Sequence, residues 1–302
     1  MTHPGLRRQL PLVAVGIAVL LWSMSFGISG EVLKTASPAV LSVGRFAIGL
    51  VILVPFAARR TGFVRTLRAP RTILLGLLGV ALYYSLTNVG LEFTTPGTAA
   101  LSNAALPALT ALLGLFILRE RVAPRTIVGL VLATAGVVIV AGAGLTLDIG
   151  VLLCLIGLAS YALYTVLLRQ GVPAELRQRA AGAVDPLVLA TATAVWGTAI
   201  MLPWLVAEMA AGAAALPSGW GGLGGLLVLG VVITAPTLVL FNYGAERLPA
   251  AATGVLTAAI PALGYLFALL LGEPFDAITA LGGAVALVGV AIASVAAPLL
   301  AS

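Results

Sequence analysis

The chain reads as an all-α integral membrane protein whose ten spans form a 5+5 inverted-topology repeat. Three observations predict this. Of 302 residues, 61% are hydrophobic and 9% charged, with a mean hydropathy of +1.16; a soluble domain carries about 25% charged residues. The apolar residues gather into ten runs of roughly the 20 residues that a helical span needs. The pattern of polar residues and prolines recurs halfway along.

The runs cover residues 12–29, 38–58, 72–91, 97–118, 126–143, 149–168, 186–207, 223–243, 250–271 and 275–297. The first follows Arg7 and Arg8, as the core of a signal peptide would. It is long for that role, lacks a small-x-small cleavage site and has a counterpart later in the chain, so it is read as a span. The second opens at Pro38 and stops before Arg59 and Arg60. The third and fourth are bounded by Arg71, Glu92, Pro96 and Arg119; the fifth and sixth by Arg125, Asp148 and Arg169. The seventh opens at Pro186. The eighth follows the glycine-rich Gly221-Gly-Leu-Gly-Gly225, which lacks the Lys-Ser/Thr of a phosphate loop and reads as a flexible outer loop. The ninth ends at Gly272-Glu273, and the tenth runs into an uncharged tail. The runs are too long, and too uniform in polarity, for barrel strands.

Charge fixes the orientation. With the N-terminus in the cytoplasm, fourteen of the sixteen basic residues fall on the cytoplasmic side, as the positive-inside rule requires. Lys34 falls outside and Arg45 within the second span. Both termini are then cytoplasmic, and the net charge of +6 belongs to loops facing a membrane, not to nucleic acid. One cysteine (Cys154) and one histidine (His3) exclude a disulfide framework, a zinc site and a Cys/His catalytic pair. No cofactor or metal is expected.

The repeat is visible in polar residues. Asn88, Gly90, Glu92 and Pro107 fall on Asn242, Gly244, Glu246 and Pro261 at one constant offset. One residue closer, Glu120 falls on Glu273, Gly129 on Gly282 and Gly136 on Gly289. Pro38 and Pro55 match Pro186 and Pro203 in the same way. Chance likeness between apolar segments explains matched leucines; it does not explain matched Asn, Glu and Pro at fixed spacing. The halves are residues 1–147 and 148–302, in one integrated membrane domain. Five spans per half is odd, so the second half starts from the opposite side, an architecture of alternating-access transporters.

Particular residues tie this pattern to a family. They are Leu21-Trp-Ser-Met-Ser-Phe26, Gly44-Arg-Phe46, Asn103-Ala-Ala-Leu-Pro107 through Leu118-Arg-Glu120, and Ala258-Ala-Ile-Pro261 through Leu271-Gly-Glu273. Over essentially the whole chain it resembles the drug/metabolite transporter superfamily, EamA type, and is similar to its YddG-type aromatic amino-acid exporters. The second half departs from the first at Thr193, where Arg45 has no counterpart. The resemblance implies export of small metabolites, often amino acids, across a bacterial inner membrane.

The candidate substrate-binding residues are polar and aromatic groups at matching depths. The first half offers Trp22, Ser23, Ser25, Tyr83, Tyr84, Asn88 and Asn103; the second offers Tyr161, Tyr164, Asn242, Tyr243 and Tyr265. Each alone could serve helix packing, since buried amides and hydroxyls are hydrogen-bonded somewhere. Tyr83, Asn88, Tyr161 and Asn242 together favour a cavity, where amides hold a zwitterion and tyrosine faces hold a cation or ring. Pro107 and Pro261 fall in mid-span, freeing the carbonyls of Asn103 and Thr257. Two readings stand: kinks that open on the cavity, or kinks satisfied by neighbours.

Arg45 is the one charge placed inside a span and needs a partner or water. Glu31 and Glu92 are its candidates for a gate ion pair. The other readings are a dock for a substrate carboxylate, or an arginine that ties helices together. Glu120 and Glu273 are expected to cap the helices that follow them. The small-residue stripes of the fifth and tenth spans are read as peripheral or dimer contacts, leaving monomer or homodimer open. The partners expected are a small-molecule substrate and membrane lipid. Proton-coupled efflux of cationic drugs or organic amines is the alternative, but no span carries an acidic residue near its middle. Facilitated diffusion without a coupling ion follows from the same absence, and the residues for a membrane enzyme are missing.

Overall fold

The computed structural model describes residues 4–118, 124–142, 148–169, 185–245 and 256–295. Among them every regular element is helical. The apolar helices in chain order are α1 (Pro4–Leu33), α2 (Pro38–Ala58), α3 (Pro70–Gly90), α4 (Pro96–Ile117) and α5 (Pro124–Gly142). They continue with α6 (Ile149–Arg169), α7 (Pro186–Ala210), α8 (Trp220–Phe241), α9 (Ile260–Leu270) and α10 (Ala277–Val295). Seven of the described helices, α1 to α4 and α6 to α8, are long and apolar enough to cross a membrane; α5, α9 and α10 add shorter apolar stretches. Large apolar side chains such as Phe116, Val131, Leu270, Phe275 and Leu281 face outward. Such a surface suits lipid rather than water.

Sequence chemistry sets where the helices start. Proline opens α2, α3, α4 and α7, where its missing N–H would have had no helical partner. Side chains satisfy other first-turn amides. Thr95 accepts from the Thr98 amide at 3.2 Å, Asp148 from Gly150 at 2.8 Å, Asp185 from Leu187 at 2.9 Å and Asp276 from Thr279 at 2.6 Å.

This corrects one expectation. The helix after Glu273 is capped by Asp276, and Glu273 instead accepts from the Gly97 amide of α4 at 2.8 Å. The electrostatics are as expected, a carboxylate at a positive helix end, but the helix served is a spatial neighbour. Glu120 lies outside the described residues.

Contacts follow an exchange of halves. α1 packs on α8 and α9, as α6 packs on α3 and α4. α2 packs on α7 and α8, as α7 packs on α2 and α3. α4 meets α9, and α5 lies along α10. The α5–α10 contact is backbone against backbone: a Cβ on Gly136 would stand 2.3 Å from the Ala286 nitrogen, and one on Gly289 2.3 Å from the Ala133 nitrogen. The small-residue stripes read as peripheral or dimer contacts are thus used against each other within one chain.

Candidate substrate cavity

Arg45 sits two turns into α2 and is 2% exposed. Its Nη2 donates to Ser25 Oγ of α1 at 3.1 Å, and its Nε to Thr234 Oγ1 of α8 at 3.3 Å. The guanidinium carbon lies 4.8 Å from the centre of the Tyr84 ring, within cation–π range. Two hydroxyls and a ring face hold this cation. Among the described residues the ion pairs are Lys34–Glu31 at 2.5 Å and Arg60–Asp185 at 3.6 Å.

The expected gate pairs are therefore not made in this conformation. Glu31 is bound by Lys34, one helical turn away and at the same end of the bundle, whereas Arg45 lies deeper. Glu92 is exposed beyond the end of α3 and faces Glu208 rather than a cation. Burial raises its carboxyl above the ordinary value, and the Glu208 charge adds to the rise. Glu208 in turn accepts from Ser37 Oγ at 2.5 Å.

Four of the predicted tyrosines meet beside Arg45. Ring centres stand 4.8 Å apart for Tyr83–Tyr84, 4.9 Å for Tyr83–Tyr161 and 5.4 Å for Tyr161–Tyr164. Phe46 extends the chain, 4.7 Å from Tyr84. The backbone makes room for them. A π-type turn at Leu77–Leu82 precedes Tyr83, and Gly79 admits the Tyr164 ring where a Cβ would stand 2.6 Å from it. Tyr83 Oη donates to Asn103 Oδ1 at 3.2 Å, and Asn103 Nδ2 donates to the Ala99 carbonyl at 3.0 Å. Asn88 donates to Ser42 Oγ of α2 at 2.8 Å.

Both prolines mark breaks. A 3-10 turn, Asn103–Ala105, precedes the helical stretch that contains Pro107, and the Leu106 amide donates to the Asn103 carbonyl. The carbonyl that the sequence left free is taken up by this tighter turn. At Pro261 the chain turns at 258–259, and the Ala259 amide donates to the Leu256 carbonyl at 3.1 Å.

Arg45, Ser25, Ser29, Thr87, Asn88, Tyr83 and Tyr84, with Phe26 and Leu91, line a cavity of about 20 Å³. That volume matches about one water molecule. An amino acid is larger than this space. Sequence reasoning missed Thr87, whose Oγ1 is buried with no partner; its position one turn after Tyr83 on the same helix was the available signal. Thr234 and Ser29 were missed as well.

Other candidates lie elsewhere. Ser23 donates to the Val19 carbonyl of its own helix at 2.7 Å. Trp22 packs on Phe241, with ring centres 4.8 Å apart. Tyr265 lies against Gly97 and donates to the Asp276 carbonyl at 3.4 Å, at the end of the bundle that carries Glu273. Tyr243 lies in the helical segment Ala235–Ala245, where α8 continues, and is exposed. The Asn242 side chain lies outside what the structure describes.

Known proteins match this chain in sequence and fold. The EamA-like transporter family matches the chain twice, over residues 10–142 and 148–295. The chain belongs to this family. Its relatives are transporters by name. An uncharacterized transporter of Archaeoglobus fulgidus is 23% identical over 93% of this chain and 97% of its own. A probable terminal-alkyne amino-acid exporter of Streptantibioticus cattleyicolor is 27% identical over 92% of this chain and 91% of its own. A solved crystal structure superposes with a TM-score of 0.68 at 21% identity, covering 97% of this EamA-like chain and 100% of the other. That likeness speaks to the fold alone.

Proposed function

We propose that this EamA-like transporter exports small metabolites, amino acids first and aromatic ones among them, by alternating access across the bacterial inner membrane. The observation that carries the reading is the junction at Arg45. Ser25 and Tyr84 from the first half and Thr234 from the second meet its guanidinium, and a row of tyrosines from α3 and α6 adjoins it.

Ten spans in a 5+5 inverted repeat fit three findings. The family matches each half of the chain in turn. The helix contacts follow an exchange of α1–α5 with α6–α10. The matched polar residues keep constant offsets. Cytoplasmic termini fit the arginine distribution. The amino-acid substrate draws support from the relative named as an amino-acid exporter and from the aromatic lining.

Facilitated diffusion fits a cavity whose lining residues include no carboxylate. Proton-driven efflux of cations needs a membrane-embedded acid that trades protons for substrate, and neither Glu31 nor Glu92 occupies that position. Uptake of labelled amino acids into proteoliposomes without an ion gradient tests the reading. Uptake that rises to equal concentrations inside and out is the expected result. Accumulation only under an imposed pH gradient would replace the facilitator with a proton-coupled carrier. No movement of any amino acid, with or without the gradient, would overturn the amino-acid reading.

A further inference from the structure

We infer that the cavity selects substrates by a carboxylate, bound by Arg45, and that it rejects amines and amides of the same shape. The inference rests on the reading of this cavity as a substrate site, and it narrows the substrate to one carrying an anionic head.

Three observations point the same way. A guanidinium has five N–H donors, and Arg45 uses two of them, on Ser25 and Thr234. Both acceptors are neutral hydroxyls. Among the described residues no carboxylate pairs with this arginine, although it is 2% exposed. A buried charge without a counter-ion is unfavourable, and a ligand that supplies the counter-ion gains what the protein withholds. Ser25 and Ser29 of α1 and Asn88 of α3 line the same cavity, and their polar groups suit a carboxylate oxygen. The planar fork of arginine matches the two oxygens of a carboxylate. The lining residues include no acid to hold an ammonium. Tyr83 and Tyr84 present ring faces and edges to whatever follows the carboxylate, so an aromatic acid suits the site.

The geometry also explains why Arg45 is tethered to both halves. Ser25 and Thr234 lie on α1 and α8, which pack on each other and on α2. A carboxylate that draws the guanidinium away from either hydroxyl loosens one tether as it binds. Substrate and helix separation are coupled through one side chain.

The test is calorimetric binding to the purified full-length protein in detergent, with 3-phenylpropanoate, 3-phenylpropanamide and 2-phenylethylamine as probes. The acid is expected to bind at least about tenfold more tightly than the amide or the amine, the least that a charge-assisted contact contributes. Arg45→Gln is expected to abolish that preference, and Arg45→Lys to weaken but keep it. Equal binding of acid and amide by the wild type overturns the inference, and needs no variant to fold. So does tighter binding of the amine, or binding of none of the three up to the solubility of the acid. An Arg45→Gln protein that melts earlier but keeps the acid preference assigns the arginine a structural role only. Transport separates the two readings. Acid-selective binding without amino-acid uptake would remove the amino-acid substrate and leave the carboxylate site. Amino-acid uptake by a protein that does not prefer the acid would do the reverse.

Discussion

Arg45 is the residue on which most of the account turns, and sequence alone identified it as the one charge within a span. Its partners were not legible. Serine and threonine within spans usually bond back to the carbonyl one turn earlier, as Ser23, Ser102, Thr198 and Thr237 do here. Nothing in the sequence distinguishes Ser25 and Thr234, which reach across to another helix. Arg45→Ala is expected to lower transport per folded molecule by roughly 10- to 100-fold, the worth of a charge-assisted hydrogen bond. The folded yield should fall far less, because no carboxylate is left unpaired. Equal loss of yield and transport would reduce the residue to a helix tie. Glu92 gives a prediction in pH. Its folded-state pKa is raised, so its protonated form is favoured in the fold. The stability it contributes is full below its unfolded value of about 4.3 and is lost as pH rises through the raised value. Glu92→Gln should therefore raise the melting temperature slightly at neutral pH and leave it unchanged below about pH 4. A gain of the same size at both pH values would contradict this.

Helix starts were well marked, because proline and aspartate act locally. The π-type turns at Leu77–Leu82 and Val228–Thr234 leave no such mark, and the choice of α4 rather than α10 for Glu273 is made by tertiary packing. Glu273→Ala should cost about 1 kcal/mol, in the range of a lost helix cap, with transport per folded molecule nearly intact; a melt and an uptake assay on the same preparation decide it. The α5–α10 contact makes a sharper prediction. Gly136→Ala places a methyl 2.3 Å from a backbone nitrogen that cannot rotate away, so a loss of about 1–3 kcal/mol is expected. Gly16→Ala in α1 meets nothing within 4 Å and should be neutral or stabilising by up to about 1 kcal/mol. If both substitutions melt alike, the close helix approach is wrong.

At the scale of the molecule, the constant offsets of Asn, Gly, Glu and Pro predict two related halves, and the helix contacts fit an exchange of α1–α5 with α6–α10. Substrate chemistry was less legible. The tyrosines stand on α3 and α6, far apart in sequence, and only packing brings Tyr83 to Tyr161. Tyr265 has the same residue type in a span yet lies at the bundle end. The cavity beside Arg45, at about 20 Å³, is smaller than an amino acid, so a carrier built this way must rearrange to bind.

Counterflow tests that claim most directly. Proteoliposomes preloaded with unlabelled phenylalanine are diluted into a trace of labelled phenylalanine, and its entry is followed. A single cavity exposed to each side in turn predicts a transient overshoot of label above its equilibrium level, lost in Tyr83→Ala and Arg45→Ala. Entry that approaches equilibrium without an overshoot, at a rate that preloading does not change, would contradict an alternating-access carrier for this substrate.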